Sequence, residues 1–187
     1  MEVMEAIKKR FSARKYADKP IEQEKLDLIT EAGRLAPTAS NEQLQKHIIV
    51  TDKELIQKMV AACKNQKWIA TAPAVIVECA IGDRTMICGQ SARSMDGAIA
   101  MSYMMLEAVS LGLQSCWLGW YEPDKVRELL NIPDNQNHPL NGWFAQPLEG
   151  DFTGLPPAAG GIDCLTTHYH HRQPLTCGCL FLPIYSC

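Results

Sequence analysis

Helices that alternate with short buried strands predict an α/β or α+β sheet domain. His47-Ile48-Ile49-Val50 and Ala74-Val75-Ile76-Val77-Glu78-Cys79-Ala80 are apolar runs too short for helices. The longer segments around them carry apolar residues three and four apart. With 187 residues, 47% hydrophobic and 21% charged, the chain has the size and composition of one globular domain, with room for a tail.

The elements follow in order. Val3, Met4 and Ile7 sit at helical spacing and predict a short amphipathic helix over 2–10, broken at Asp18-Lys19-Pro20. Leu26, Ile29, Ala32 and Gly33 form one stripe of a helix over 22–35, closed before Pro37. After the strand at 47–50, Asp52 is an N-cap for a helix holding Leu55, Ile56, Met59, Val60 and Cys63. Pro73 opens the second strand. Residues 88–111 predict a central helix of about 36 Å at 1.5 Å per residue, ended by Gly112. Its small residues Gly97, Ala98, Ala100 and Ser102 allow another backbone to approach closely. Ser115–Trp120 reads as a third strand. Pro123 in a first turn, with Val126, Leu129 and Leu130, predicts a last helix stopped by Pro133.

Bulk properties exclude some functions. A net charge of −3 gives no reason to expect a nucleic-acid partner. The apolar stretch at 94–119 carries Asp96 and Glu107, with Arg93 just before it, so it reads as a core helix and not a membrane span. No apolar run follows the first charges, so no signal peptide is expected, and a cytoplasmic location is. There Cys63, Cys79, Cys88 and Cys116 would be reduced, buried thiols.

The chain changes character near residue 134. Every Lys and Arg except Arg172 precedes Pro133, whereas Asp134, Glu149, Asp151 and Asp163 follow it. Two units are therefore expected, a domain over 1–133 and a tail over 134–187.

Two segments carry the clearest chemistry. Residues 10–16, Arg-Phe-Ser-Ala-Arg-Lys-Tyr, form a cationic cluster with a hydroxyl, suited to a phosphate. Arg10 and Arg14 are four apart and would share a face on a helical turn, and arginine's planar fork grips phosphate oxygens. The second segment, Ala36-Pro37-Thr38-Ala39-Ser40-Asn41-Glu42-Gln43, is a polar turn after an amphipathic helix. A third segment is Gly112-Leu113-Gln114-Ser115-Cys116-Trp117-Leu118-Gly119-Trp120, followed by Val126-Arg127 and Leu130-Asn131-Ile132-Pro133.

In this order the three segments resemble the nitroreductase family of FMN-dependent oxidoreductases, over about residues 1–133. The resemblance implies an α+β, three-layer fold with a central mixed sheet flanked by helices, in an intertwined homodimer with the central helix at its interface. It implies FMN as cofactor and NAD(P)H as donor, with nitroaromatics, quinones or similar small molecules as acceptors. Arg10, Ser12 and Arg14 would hold the flavin phosphate, with Phe11 packed beneath. Pro37, Thr38, Ala39 and Asn41 would reach the ring from the partner subunit, Asn41 being able both to donate and to accept at its polar edge. Trp117, Leu118 and Gly119 would present backbone to the ring, and Trp120 and Tyr121 could line the substrate side. A lysine near the ring, Lys64 or Lys67, would stabilise charge on the reduced flavin. No catalytic side chain is expected, because the hydride chemistry belongs to the cofactor. No Gly-x-Gly-x-x-Gly follows a strand and no Gly-x-x-x-x-Gly-Lys is present. His47 reads as a core histidine within a strand.

The chain departs from the family's pattern at two places. Gln43 is followed by Leu44 and Gln45 where the family continues Pro-Trp, so an aromatic wall is missing. After Pro133 no Gly-Tyr-Pro appears and no clear hydrophobic periodicity. Cys164, His168, His170, His171, Cys177 and Cys179 raise the question of a metal site, although their spacing matches no standard zinc pattern. An ending from a shifted reading frame would also account for this composition. With either ending, a protein that binds flavin without turnover stands beside the enzyme as a reading of the chain.

Overall fold

The computed structural model describes residues 1–82, 84–132 and the strand at 140–147. Its elements are α1 (Val3–Lys9), α2 (Gln23–Arg34), β1 (Gln45–Val50), α3 (Lys53–Ala62), β2 (Val75–Ala80), α4 (Ala92–Ser110), β3 (Leu113–Trp117), α5 (Pro123–Leu130) and β4 (Leu140–Pro147). Short 3-10 turns lie at Ala39–Asn41 and Lys67–Thr71.

The sheet runs β1-β2-β4-β3, with every neighbouring pair antiparallel. A parallel bridge from Ser12 to Ser115 adds the N-terminal segment beside β3 and makes the pairing mixed. Strand alternation sorts β2 onto two faces. Ile76 joins Ile29, Ala100, Met101, Met104, Ala108 and Leu113 beneath α2 and α4. Val75, Val77 and Cys79 join Val50, Ile56, Met59, Val60, Leu118 and Val126 beneath α3 and α5. The result is the three-layer α+β architecture expected from the sequence.

The local signals act as their chemistry requires. Asp52 accepts from the Leu55 N–H at 2.7 Å and caps α3. Pro123 opens α5. Gly33 lets α2 lie close to α4, because a Cβ there would meet Met104 Sδ at 2.8 Å and His47 Nε2 at 2.9 Å.

Several expectations are corrected. α4 begins at Ala92 and not near residue 88, because residues 85–91 form a turn closed by a Thr85–Ser91 bridge and Ser91 caps the helix. β3 occupies Leu113–Trp117, starting directly after Gly112 (φ +79°). α5 is ended by Asn131 in the left-handed conformation, before Pro133 is reached. Val3, Met4 and Ile7 are exposed, and α1 buries only Ala6. Cys63, Cys79 and Cys116 are buried free thiols, but Cys88 is exposed on the turn before α4. Burial pushes the Cys63 and Cys79 thiols up to about 12, so neither is a nucleophile at neutral pH.

β4 is an element that hydrophobic periodicity did not disclose. It lies between β2 and β3, so residues beyond Pro133 take part in the sheet. The tail readings at Cys164–Cys179 lie outside the described residues.

His47 is in β1, as expected, and its Nδ1 meets Glu78 Oε2 beneath α2 and α4. Glu78 is fully buried, and its Oε1 has no partner among the described residues. Burial raises the Glu78 carboxyl above its ordinary value of 4.5, opposed by His47. An acid with a raised folded pKa binds more protons folded than unfolded. Its contribution to stability is therefore full below 4.5 and is lost as pH rises through the folded value. Glu78→Gln should flatten the wild-type decline in stability above pH 4.5, read as urea midpoints across pH 4.5 to 8. An unchanged profile would show that Glu78 does not titrate in that window.

Candidate functional site

The N-terminal segment leaves its helix before the cationic cluster begins. α1 ends at Lys9, and Arg10 has extended backbone (φ −65°, ψ 129°). Arg10 and Arg14 therefore do not share a helical face. An extended chain repeats every two residues, which gives a different grouping. Phe11 and Ala13 pack with Tyr16, Ala72 and Trp68. Alternation would turn Arg10, Ser12 and Arg14 away from that cluster; Arg10 and Ser12 are half-buried and Arg14 is exposed.

β3 fixes this segment in place. The Ala13 N–H donates to the Ser115 carbonyl at 3.2 Å. Gln114 is buried, and its side chain works at both ends: Oε1 accepts from the Phe11 N–H at 3.2 Å, and Nε2 donates to the Lys9 carbonyl at 3.1 Å. The Tyr16 hydroxyl donates to the Ala13 carbonyl at 2.6 Å and its ring tilts against Trp68 at 6.1 Å, tying the far end of the segment down. The Ser115 hydroxyl is buried without a partner among the described residues.

The strand then runs to the residues expected to present backbone. Trp117 is half-buried and Leu118 packs into the core, so Leu118 can offer only its main chain to a ligand. Gly119 is exposed, and a Cβ built there meets nothing within 4 Å, which leaves open space beside the backbone. Trp120 is 64% exposed, and its carbonyl accepts from Gln66 Nε2 at 3.0 Å. Lys64 donates to Glu122 at 2.8 Å, whereas Lys67 is exposed at the start of its 3-10 turn.

The second set is built at the other end of α4. Ser40, Asn41 and Gln43 all have left-handed φ, near 55°, 54° and 52°. Asn tolerates this conformation, but Ser and Gln gain nothing from it. Such residues cost on the order of 1–3 kcal/mol each and persist only where their surroundings impose them. Here the Gln43 N–H donates to Thr38 Oγ1 at 3.1 Å and the Asn41 N–H to the Thr38 carbonyl at 2.9 Å. Asp96 Oδ1 on α4 accepts from the Ala39 N–H at 2.8 Å. Glu42 is paired with both Arg84 and Arg93, and these guanidinium groups, Arg93 foremost, hold its carboxyl below the usual range. Pro37 and Asn41 are exposed, and Thr38 and Ala39 half-buried.

Within one chain, then, Arg10–Arg14 and Trp117–Gly119 are gathered along β3, and Pro37–Asn41 is gathered on the first turns of α4. Sequence reasoning did not find Gln114, Asp96, Arg93 or Arg84 as supports. A signal existed for two of them: charges three apart in an apolar helix are rarely buried unless paired.

The group implied by the motifs is FMN, and the chain's own residues fit it. A phosphate needs cations and hydrogen-bond donors, which Arg10, Ser12 and Arg14 would supply. A planar ring needs accessible backbone, supplied by the open space beside Gly119. Among the described residues no group of three His, Cys, Asp or Glu side chains could hold a metal ion, and no helix is long and apolar enough to cross a membrane.

The chain is similar to known proteins. A family model described as "Nitroreductase family" matches residues 7–90 and 60–145. A protein of Archaeoglobus fulgidus, provisionally described as an NADH dehydrogenase/NAD(P)H nitroreductase, is 36% identical over 138 residues, covering 72% of this chain and 79% of its own. The crystal structure of a nitroreductase family protein from Clostridium difficile 630 superposes with a TM-score of 0.72 at 32% identity, over 91% of this chain and 95% of that one. An FMN-dependent nitroreductase from Clostridium difficile R20291 gives a TM-score of 0.69 at 26% identity, over 90% and 99%.

Gln114→Ala removes the two side-chain ties that Gln114 makes to the N-terminal segment, at the part-buried Phe11 N–H and Lys9 carbonyl, and leaves the Ala13–Ser115 bond in place. It should cost about 1–3 kcal/mol, read in urea denaturation, and raise amide exchange at Phe11. A stability within about 0.5 kcal/mol of wild type would show that the segment is held without Gln114.

Proposed function

The chain belongs to the nitroreductase family, and we propose that it is an FMN-dependent oxidoreductase that passes hydride from NAD(P)H to nitroaromatic, quinone or similar small-molecule acceptors. The observation that supports this reading is the anchoring of the N-terminal segment, where Phe11 and Ala13 pack with Tyr16 and Ala72 and Ser12 bridges to Ser115, so that Arg10, Ser12 and Arg14 would alternate to the other side of an extended chain.

The residues take distinct parts. Arg10 and Arg14 bind the phosphate by charge-assisted hydrogen bonds, and Ser12 adds a hydroxyl donor. Trp117 to Gly119 present backbone to the ring, and the space beside Gly119 lets it approach closely. Pro37, Thr38, Ala39 and Asn41 cover the ring edge, with the Asn41 carboxamide able to orient it. Bound FMN would supply the two-electron chemistry between the nicotinamide donor and the acceptor. Loop and strand also exclude water from the reacting face.

The assembly in this reading is a homodimer, in which the 37–41 loop serves the partner's flavin. Val3, Met4 and Ile7 on α1, with Met95 and Tyr103 on α4, leave large apolar side chains exposed on two helices, a surface a second copy would cover. A cytoplasmic location accords with the proposed chemistry, which draws on NAD(P)H.

Two measurements test the reading. Anaerobic NADH or NADPH should bleach the flavin band of the FMN-loaded protein, and a nitroaromatic or quinone should restore it; a band that neither donor bleaches contradicts the enzyme reading. Arg10→Ala combined with Arg14→Ala should weaken FMN binding about a hundredfold or more, from two lost charge-assisted contacts. Unchanged FMN affinity in that variant would remove the phosphate assignment.

A further inference from the structure

The loop that carries Pro37 to Asn41 holds a conformation its own sequence does not favour, since Ser40 and Gln43 are left-handed without being glycine or asparagine. Its outside holders form one continuous chain. Asp96 accepts from the Ala39 N–H at 2.8 Å and accepts from Arg93 Nη1 at 3.2 Å. Arg93 also donates to Glu42, Glu42 accepts from Arg84, and Arg84 Nη2 donates to Ser40 Oγ at 3.0 Å. The chain thus leaves α4, enters the loop at residues 39, 40 and 42, and closes on itself.

Arg93 and Asp96 are buried on α4, at 3% and 2% exposure. A buried ion pair is a poor source of stability, since an apolar pair of similar volume often does as well. An apolar pair could not accept from Ala39 or grip Glu42. We propose that Asp96 and Arg93, acting with Glu42 and Arg84, are positioning residues that set the 38–43 loop in the one conformation able to cover the flavin ring. The proposal rests on the flavin reading above and deepens it: ion pairs anchored on α4, and not the loop's backbone preferences, fix the ring contact.

The role makes a distinction that a merely structural role would not. The phosphate segment discriminates FMN from riboflavin, whereas a loop over the ring touches both ligands alike. Fluorescence titration of Asp96→Ala should therefore show FMN and riboflavin affinities falling together, by about tenfold, with their ratio unchanged. Asp96→Asn, which keeps an acceptor for Ala39, should recover most of the loss. Glu42→Gln, on the accessible side of the chain, should show a smaller common loss in a protein whose melting is near wild type, and it covers the case in which Asp96→Ala does not fold. Amide exchange at Ala39, measured without ligand, should be slow in wild type and fast in Asp96→Ala.

Unchanged exchange at Ala39 overturns the positioning role. Fast exchange with unchanged affinities overturns its link to the ring. A changed FMN-to-riboflavin ratio also overturns it, because the effect would then lie at the phosphate. Wild-type protein that binds neither flavin sinks the function proposed above, and Ala39 exchange alone then decides the positioning role.

Discussion

Burial of α4 is the constraint on which the rest of the molecule depends. Ala100, Met101, Met104 and Ala108 are fully buried between α2 and the sheet, and at about 25 cal/mol per Å² of apolar area such a face is a large share of what folding gains. Both sets of candidate residues hang from this one element. Its first turns carry Arg93 and Asp96, which hold the 38–43 loop. Its last turn passes through Gly112 straight into β3, which carries the N-terminal segment by the Ser12–Ser115 bridge and by Gln114. A rigid helix between two attachment points gives a site more precision than loops joined to loops.

The chemistry the site needs is spread over residues that are individually ordinary. In the proposed reading, Arg10, Ser12 and Arg14 would grip the phosphate from a segment that Phe11 and Ala13 anchor by packing. Gly119 contributes open space, and Leu118 anchors the backbone beside it by entering the α3–α5 core. The exposed apolar residues of α1 and α4 mark the face where the single chain ends its own packing. In the proposed homodimer, a second copy there would bring the loop of one chain to the N-terminal segment of the other, although the two are attached to opposite ends of α4 within a chain.

Much of this was legible in the sequence, for reasons that can be named. α2, α3 and α5 were found because their apolar spacing and their Asp52 and Pro123 signals are local. β1 and β2 were found because buried strands read as apolar runs. The family was recognised because the residue types and order of three segments resemble it. The misses were non-local. β4 contains Gly142 and Pro147 and lacks clean alternation, and its place between β2 and β3 is settled by pairing with strands far away in the chain. Arg10 and Arg14 were grouped on a helix because nothing local announces that α1 stops at Lys9. Val3, Met4 and Ile7 looked like core because spacing reveals a stripe without saying what covers it. Gln114 and Asp96 were overlooked because a buried hydrogen-bonding partner is defined by whom it meets.

The central claim is that each flavin site joins the phosphate segment of one subunit to the ring-covering loop of another. Co-expression of two differently tagged chains tests it directly, one carrying Arg10→Ala with Arg14→Ala and the other Asp96→Ala. Retained FMN is then counted in the purified heterodimer, at a flavin concentration where neither parent homodimer retains it. If the halves come from different subunits, one site collects both defects and the other is intact, so about one FMN per heterodimer is expected. If both halves belonged to the same chain, every site would keep one defect and the heterodimer would hold no more flavin than its parents, which would contradict the account.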